Sequence, residues 1–290
     1  MSRTIISTFL ALALGCGGAA SDASDEPPPD STAGGATEAP ATELPPSGDL
    51  AAAIAGAQRS DDNRARDAAR HPAETLAFFG IEPDMRVIEI RPGGGWYTEI
   101  LAPYLRGDGT LVAAIPSAEG TRARYRQRFL DLQQERSELF GAIELATFDP
   151  PDTLELGEDG SADMVLTFRN THNMVNDDGA EAAYAAFFRV LRPGGVLGVV
   201  QHRADEGADP SETAEAGYVP EAYVIQVAEA AGFVLEERSD INANPEDTHD
   251  HPEGVWTLPP SLRLGDTDRD RYVAIGESDR MTLRFRKPAE

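Results

Sequence analysis

Of the 290 residues, one is cysteine, one is lysine and two are tryptophan. The lone thiol, Cys16, excludes an intramolecular disulfide and any zinc cluster built on cysteines. With Lys287 the only lysine, nearly all positive charge is guanidinium, which reads as a habit of composition rather than as chemistry. Positive charge is itself scarce. The 25 basic residues face 50 acidic ones, and a formal charge of -25 would repel a phosphate backbone, so nucleic acid is not an expected partner. Long apolar runs are missing too: Ile5 to Leu14 is only about ten residues, half of what a membrane-spanning helix needs. No internal repeat is visible. What is present, 41% hydrophobic residues and a mean hydropathy of -0.36, suits one large globular α/β domain with extensions.

Arg3, the apolar run and the small residues before Cys16 have the layout of a secretion signal over residues 1–16. The segment LALGC resembles a bacterial lipobox, which implies a lipid-modified Cys16 and a place in the cell envelope, anchored by lipid alone. A signal cleaved elsewhere and a misassigned start codon remain open at this point, and an unused signal leaves the chain cytoplasmic. Residues 17–49 contain seven acids, no basic residue and clustered prolines, and cannot bury enough apolar surface to offset ordering entropy. They read as an acidic spacer ahead of a domain covering 50–290.

From residue 50 the pattern alternates strand and helix. Ser60 suits the cap of a helix through Ala69, and Pro72 the first turn of one ending at Gly80. RVIEI (Arg86 to Ile90), TLVAAI (Thr110 to Ile115), IELATF (Ile143 to Phe148), DMVLTF (Asp163 to Phe168) and VLGVVQH (Val196 to His202) read as strands, with helices between them, over 97–105, 119–140 and 179–191. A helix over 220–231, the segment FVLEERS and the closing MTLRFRK follow. This order implies right-handed crossovers, a doubly wound and mostly parallel sheet with helices on both faces, and a ligand at the carboxyl ends of its strands.

Pro92, Gly93, Gly94 and Gly95 form a turn between the first strand and its helix, where backbone amides can approach a polar ligand. Thr98 occupies the third glycine position of a nicotinamide fingerprint, which disfavours a dinucleotide site. Glu89 suits an ammonium-bearing ligand instead. VIEIRPGGGWYTEIL, the FD pair Phe148–Asp149 and LRPGGVL (Leu191 to Leu197) resemble motifs of the class I S-adenosylmethionine-dependent methyltransferases. More narrowly, HPAETLAFFGI, FRNTHNM, GVVQHRA and AIGESDRMTLRF look like a bacterial predicted-methyltransferase family often carrying secretion signals.

The resemblance spans roughly residues 60 to 288. It implies a Rossmann-like sheet of seven strands whose last, Met281 to Lys287, inserts antiparallel. It also implies S-adenosylmethionine as cofactor, a small-molecule methyl acceptor, and a cofactor site built from Glu89, Pro92, Gly93, Gly94, Gly95, Asp149, Arg169 and Asn170, with Asp149 near the adenine amine. Two positions depart from the pattern. Arg91 stands where the first glycine belongs, and Ile115 and Pro116 stand where an acid commonly holds the ribose hydroxyls.

His172 and His202 follow the fourth and fifth strands of this reading and could supply a base, or could be loop histidines bonded to backbone. EDTHDHPE (246–253) and the calcium-like spacing of Asp266, Asp268, Asp270 and Glu277 are weighed as metal loops. Arg271 in place of the required glycine speaks against the second, and no metal is expected. Segment 204–279, with nineteen acids against four arginines, is expected to be an acidic insertion, a hydrated rim suited to cationic ligands. Arg122, Arg124, Arg126 and Arg128 are expected in solvent, with Tyr125 and Phe129 turned inward. A noncatalytic ligand-binding module on the same fold is the alternative to an enzyme.

Overall fold

A computed structural model describes residues 43–289. Cys16 and nearly all of the expected spacer lie outside the described residues. The spacer gives way before position 49: Leu44 packs on the core, Gly48 N–H donates to Tyr104 O at 2.9 Å, and Asp49 caps the first helix through Ala52 N at 2.9 Å. Among the described residues no helix is long and apolar enough to cross a membrane.

Four helices precede the sheet: α1 (Leu50–Ala55), α2 (Asp61–Ala65), α3 (Asp67–Arg70) and α4 (Pro72–Phe79). Ser60 caps as expected, accepting from Asn63 N, but the helix expected through Ala69 breaks at Arg66 into α2 and α3. The strands are β1 (Arg86–Ile90), β2 (Thr110–Ile115), β3 (Glu144–Asp149), β4 (Thr153–Glu155), β5 (Ala162–Phe168), β6 (Leu191–His202), β7 (Val234–Ser239) and β8 (Arg280–Arg286). Between them run α5 (Thr98–Leu105), α6 (Ala123–Glu135), α7 (Ser137–Phe140), α8 (Thr171–Asn176), α9 (Ala180–Val190), α10 (Pro210–Thr213), α11 (Glu221–Ala230) and α12 (Arg269–Ile275).

The sheet has eight strands in the order β4-β3-β2-β1-β5-β6-β8-β7. β3, β2, β1, β5 and β6 are mutually parallel; β8 enters antiparallel between β6 and β7, and β4 lies antiparallel on β3. The eighth strand, β4, is the departure from the seven expected: three residues show no periodicity, and only pairing with β3 makes them a strand. β7 likewise makes 204–279 more than an insertion, because part of it is an integral edge of the sheet.

Side chains alternate across β1, so Ile88 and Ile90 enter one core with α9 and α11, while Val87 enters the other with α1, α4, α5 and α6. Both faces are covered, which is why the inner strands read as continuous apolar runs. β1 has β2 on one side and β5 on the other, so successive crossovers leave it in opposite directions and open a crevice at its carboxyl end.

Candidate active site

A cavity of about 300 Å³ occupies that crevice. Its floor comes from the end of β1 and the turn after it. Arg91, Gly93 and Gly95 all hold positive φ, at 46, 59 and 83 degrees, and thereby fold the chain back under α5. Ideal Cβ atoms on Gly93 or Gly94 would meet nothing within 4 Å, so their backbone stands open to the cavity, and Pro92 lines it beside them. Gly95 serves packing instead, with its Cβ position 3.3 Å from the Leu132 side chain, and it does not line the cavity.

Glu89 lines the cavity at 2% exposure and accepts a 2.7 Å hydrogen bond from Thr98 Oγ1. Burial raises its pKa to about 7, and the Thr98 bond opposes that rise. Thr98 thus does more than displace a nicotinamide-type glycine: as the first residue of α5, it orients the acid near the end of β1. A carboxylate has about four acceptor positions, so Glu89 keeps capacity for a cationic ligand group.

Arg91 lines the cavity wall, with its guanidinium 5.4 Å over the Phe148 ring and within 3.5 Å of Asp149 and 3.6 Å of Asp177. Arg122 pairs with the same two carboxylates, making a balanced cluster of two cations and two anions. Asp149 also accepts from Ser117 Oγ at 2.8 Å and does not line the cavity, a correction to its expected place beside a ligand amine. At the end of β2, Ile115 and Pro116 line the cavity where a ribose-binding acid was looked for, and Glu119 is exposed away from it. Arg122, at the N-cap of α6, and Tyr125, Arg128 and Phe129 within it also line the cavity. Two of the arginines assigned to solvent therefore face the site, because the cavity wall competes with water for that side of the helix.

After β5, Arg169 holds φ of 61 degrees and lines the cavity together with Asn170 and Asn173. Asn170 Nδ2 donates to Ile90 O at 3.0 Å and Phe168 O at 3.1 Å, tying the tips of β1 and β5 together. His172 and His202 do not line the cavity. His172 is 3% exposed and meets the Gln201 side chain; His202 is 6% exposed with Nδ1 2.5 Å from Ser278 Oγ, and burial, with His172 and two arginines nearby, holds its pKa well below the usual range. Both were candidate bases, and both are core residues. For His172 the reason lies in helical phase: Asn170 and Asn173, three apart, share the cavity face, and His172 between them turns away.

Histidines and carboxylates of the 246–253 loop are engaged with one another and with neighbouring groups. Asp247 accepts from Tyr218 Oη, His249 N and Asp279 N and pairs with His251 Nε2 at 2.9 Å. His249 is pushed up to about 9 by Asp279, 3.8 Å from its Nε2, and by its Nδ1 contact with Asp205 at 2.8 Å. Among the described residues no group of three or more His, Cys, Asp or Glu is arranged to hold a metal ion. Glu277, twelfth in the calcium-like spacing, points instead at Arg66, Arg70 and Arg280, at 2.7, 3.1 and 3.1 Å. Arg66 and Arg70 line the cavity, a feature that local pattern does not show because Glu277 lies more than 200 positions away in the chain. Trp96 completes that wall between Arg59 and Arg70, whereas Trp256 packs in a separate cluster with Tyr218 and Val255.

No family model matches the chain, and no curated protein does either. Among solved structures, a "putative sarcosine dimethylglycine methyltransferase" from Galdieria sulphuraria is 14% identical over 78% of this chain and 85% of its own, with a TM-score of 0.52. The [4+2]-cyclase SpnF is 18% identical over 83% of this chain and 93% of its own, also at 0.52. A SAM-dependent methyltransferase from Aquifex aeolicus is 13% identical over 77% and 93%, at 0.49. At these identities the likeness is one of architecture, and the architecture is the mixed α/β, Rossmann-like methyltransferase fold.

Proposed function

We propose that the chain binds S-adenosylmethionine and transfers its methyl group to a small molecule. The observation that carries this reading is the open Gly93–Gly94 backbone beside the buried Glu89 carboxylate at the sheet's switch point. Residues present fit the cofactor: Glu89 has acceptor capacity for an ammonium, the glycine backbone leaves space a side chain would fill, and Ile115 and Pro116 offer an apolar edge. When bound, the cofactor supplies a methyl group on a sulfonium that leaves as a neutral thioether. The chain's own contribution is positioning and exclusion of water. Asn170 fixes the spacing of β1 and β5, Tyr97 stacked on Phe168 at 3.6 Å forms a rigid side wall, and Thr98 holds Glu89.

Among the described residues lining the cavity there is no histidine and no lysine, and Glu89 is the single carboxylate. The acceptor therefore arrives with its lone pair free rather than having a proton taken by an imidazole. The same feature, with the missing acid after β2, favours a second reading: a noncatalytic module that binds a ligand without turnover. Calorimetric titration of the full chain with S-adenosylhomocysteine tests cofactor binding directly. Binding that disappears in Gly94→Val supports the reading, and absence of binding to the parent chain removes it. We further propose that Cys16 is acylated and tethers the domain to the cell envelope. Incorporation of a labelled fatty acid into the parent chain but not into Cys16→Ser is the expected result.

A further inference from the structure

We infer that residues 57–71, the stretch of chain carrying α2 and α3, form a lid on the cavity, and that Glu277 is the latch that holds it closed. The inference rests on the methyl-transfer reading only in naming the ligand that the lid admits. Asn63, Arg66 and Arg70 of this segment line the cavity. The segment carries no aliphatic or aromatic side chain larger than alanine apart from His71, and none of its residues belongs to a hydrophobic cluster. Its buried side chains, Gln58, Arg59 and Arg70, are all polar. By contrast α1 before it buries Ala53, and α4 after it buries Leu76 and Phe79. A segment that buries so little apolar surface opens locally at a lower free energy than the sheet.

Polar contacts hold it shut. Glu277, in the loop before β8, meets Arg66 Nε at 2.7 Å and Arg70 Nε at 3.1 Å, and Arg280 beside it donates to Ala69 O at 2.7 Å. Further along, Trp96 Nε1 donates to Asn63 O at 2.9 Å, Asn63 Nδ2 to Glu99 at 2.8 Å, and Arg136 to Gln58 O. Arg59 and Arg70 also lie over the Trp96 ring, at 5.0 and 4.8 Å. Removing the charge of Glu277 takes a shared counter-ion from Arg66, Arg70 and Arg280, and so favours the open position. The hinges are Gly56, which ends α1, and His71, whose φ of 42 degrees turns the chain between α3 and α4. A cavity of about 300 Å³ stands at the lower end of the range for a single small ligand, so bringing two reactants together requires its wall to move.

The test measures hydrogen–deuterium exchange on the full chain, and then stopped-flow binding of S-adenosylhomocysteine followed by indole emission. In the ligand-free parent, amides of 61–70 are expected to exchange at least about tenfold faster than those of α4 and β1, and saturating S-adenosylhomocysteine to slow them about tenfold. In Glu277→Gln the lid should open about tenfold more often, so exchange of 61–70 quickens by that factor. Association and dissociation of S-adenosylhomocysteine should then both quicken about tenfold, leaving Kd within about threefold. A group that merely stabilised bound ligand would raise the dissociation rate alone. Arg136→Gln, outside the cavity at 29% side-chain exposure, removes the strap at Gln58 and should act in the same direction, so it decides if Glu277→Gln fails to fold. Exchange of 61–70 at the rate of α4, ligand binding that leaves 61–70 unprotected, or a change in the dissociation rate only would each overturn the inference, as would folded variants that behave like the parent. Fast exchange of 61–70, faster still in Glu277→Gln, with no S-adenosylhomocysteine binding at all would instead keep the lid and remove the cofactor reading.

Discussion

A carboxyl group at 2% exposure, with Thr98 as its hydrogen-bond donor, titrates near 7 because desolvation penalises its charged form. Between the ordinary value of 4.5 and about 7 the folded chain binds the extra proton, so stability falls as pH rises through that window. Glu89→Gln keeps the shape and the Thr98 contact without the charge. It is expected to gain on the order of 3 kcal/mol of stability at pH 8, read as a raised Tm, while losing most cofactor affinity. In the parent chain cofactor affinity should drop as pH falls below 7, and in Glu89→Gln this dependence should vanish. His202 shifts the other way. With its folded pKa well below 6.5, it subtracts stability as pH falls under 6.5, so His202→Gln should flatten the acid limb of a denaturation profile and leave cofactor binding intact. Loss of cofactor binding in a folded His202→Gln would return this residue to the site. Gly94→Val should leave Tm within a few degrees, since the Cβ position is open, whereas Gly93→Val adds strain at φ of 59 degrees.

At the scale of elements, the fit of α4 on the sheet depends on one small residue. A Cβ on Gly198 in β6 would lie 2.8 Å from the Phe79 ring and 2.8 Å from Leu166, both buried, so Gly198→Ala is expected to cost about 1–3 kcal/mol in denaturant unfolding. The order of strands and helices was legible because it rests on local signals: β-branched runs, the Pro72 start and Gly80 stop of α4, and the glycine turn after β1. β4 was not, since three residues gain strand character only from their partner. The faces of α6 were misjudged because alternating arginines carry no amphipathic signal of their own, and the cavity, not solvent, claims Arg122 and Arg128. Of the residues the sequence singles out, Glu89 near the end of β1 and Pro92, Gly93, Gly94, Arg169 and Asn170 in the turns after β1 and β5 line the cavity. The meeting of Arg66 and Arg70 with Glu277 was not legible, because the loop between α12 and β8 that carries Glu277 reaches the start of the chain's helices only in the folded molecule.

For the whole molecule, the boundary between spacer and domain is set by contact rather than by composition. Residues 44–49 read as acidic tether, yet Leu44 packs on the core, Arg106 donates to Pro45 O at 3.1 Å and Asp49 caps α1. A chain starting at residue 43 should match the full chain in Tm. One starting at residue 50 should lose about 1–3 kcal/mol, from one cap and one partly buried leucine, measured by urea titration. Equal stability of the two truncations would place the boundary at residue 50 after all. At this scale the net charge of -25 contrasts with the six arginines that line the cavity.

The position of Trp96 has an optical corollary. Its indole lies between the guanidiniums of Arg59 and Arg70 and donates from Nε1 to Asn63 O at 2.9 Å, whereas the second tryptophan, Trp256, does not line the cavity. In Trp256→Phe all indole emission would come from a chromophore set into the cavity wall. Its wavelength would then register any change in the electric field there, giving the protein an intrinsic reporter of occupancy that requires no label.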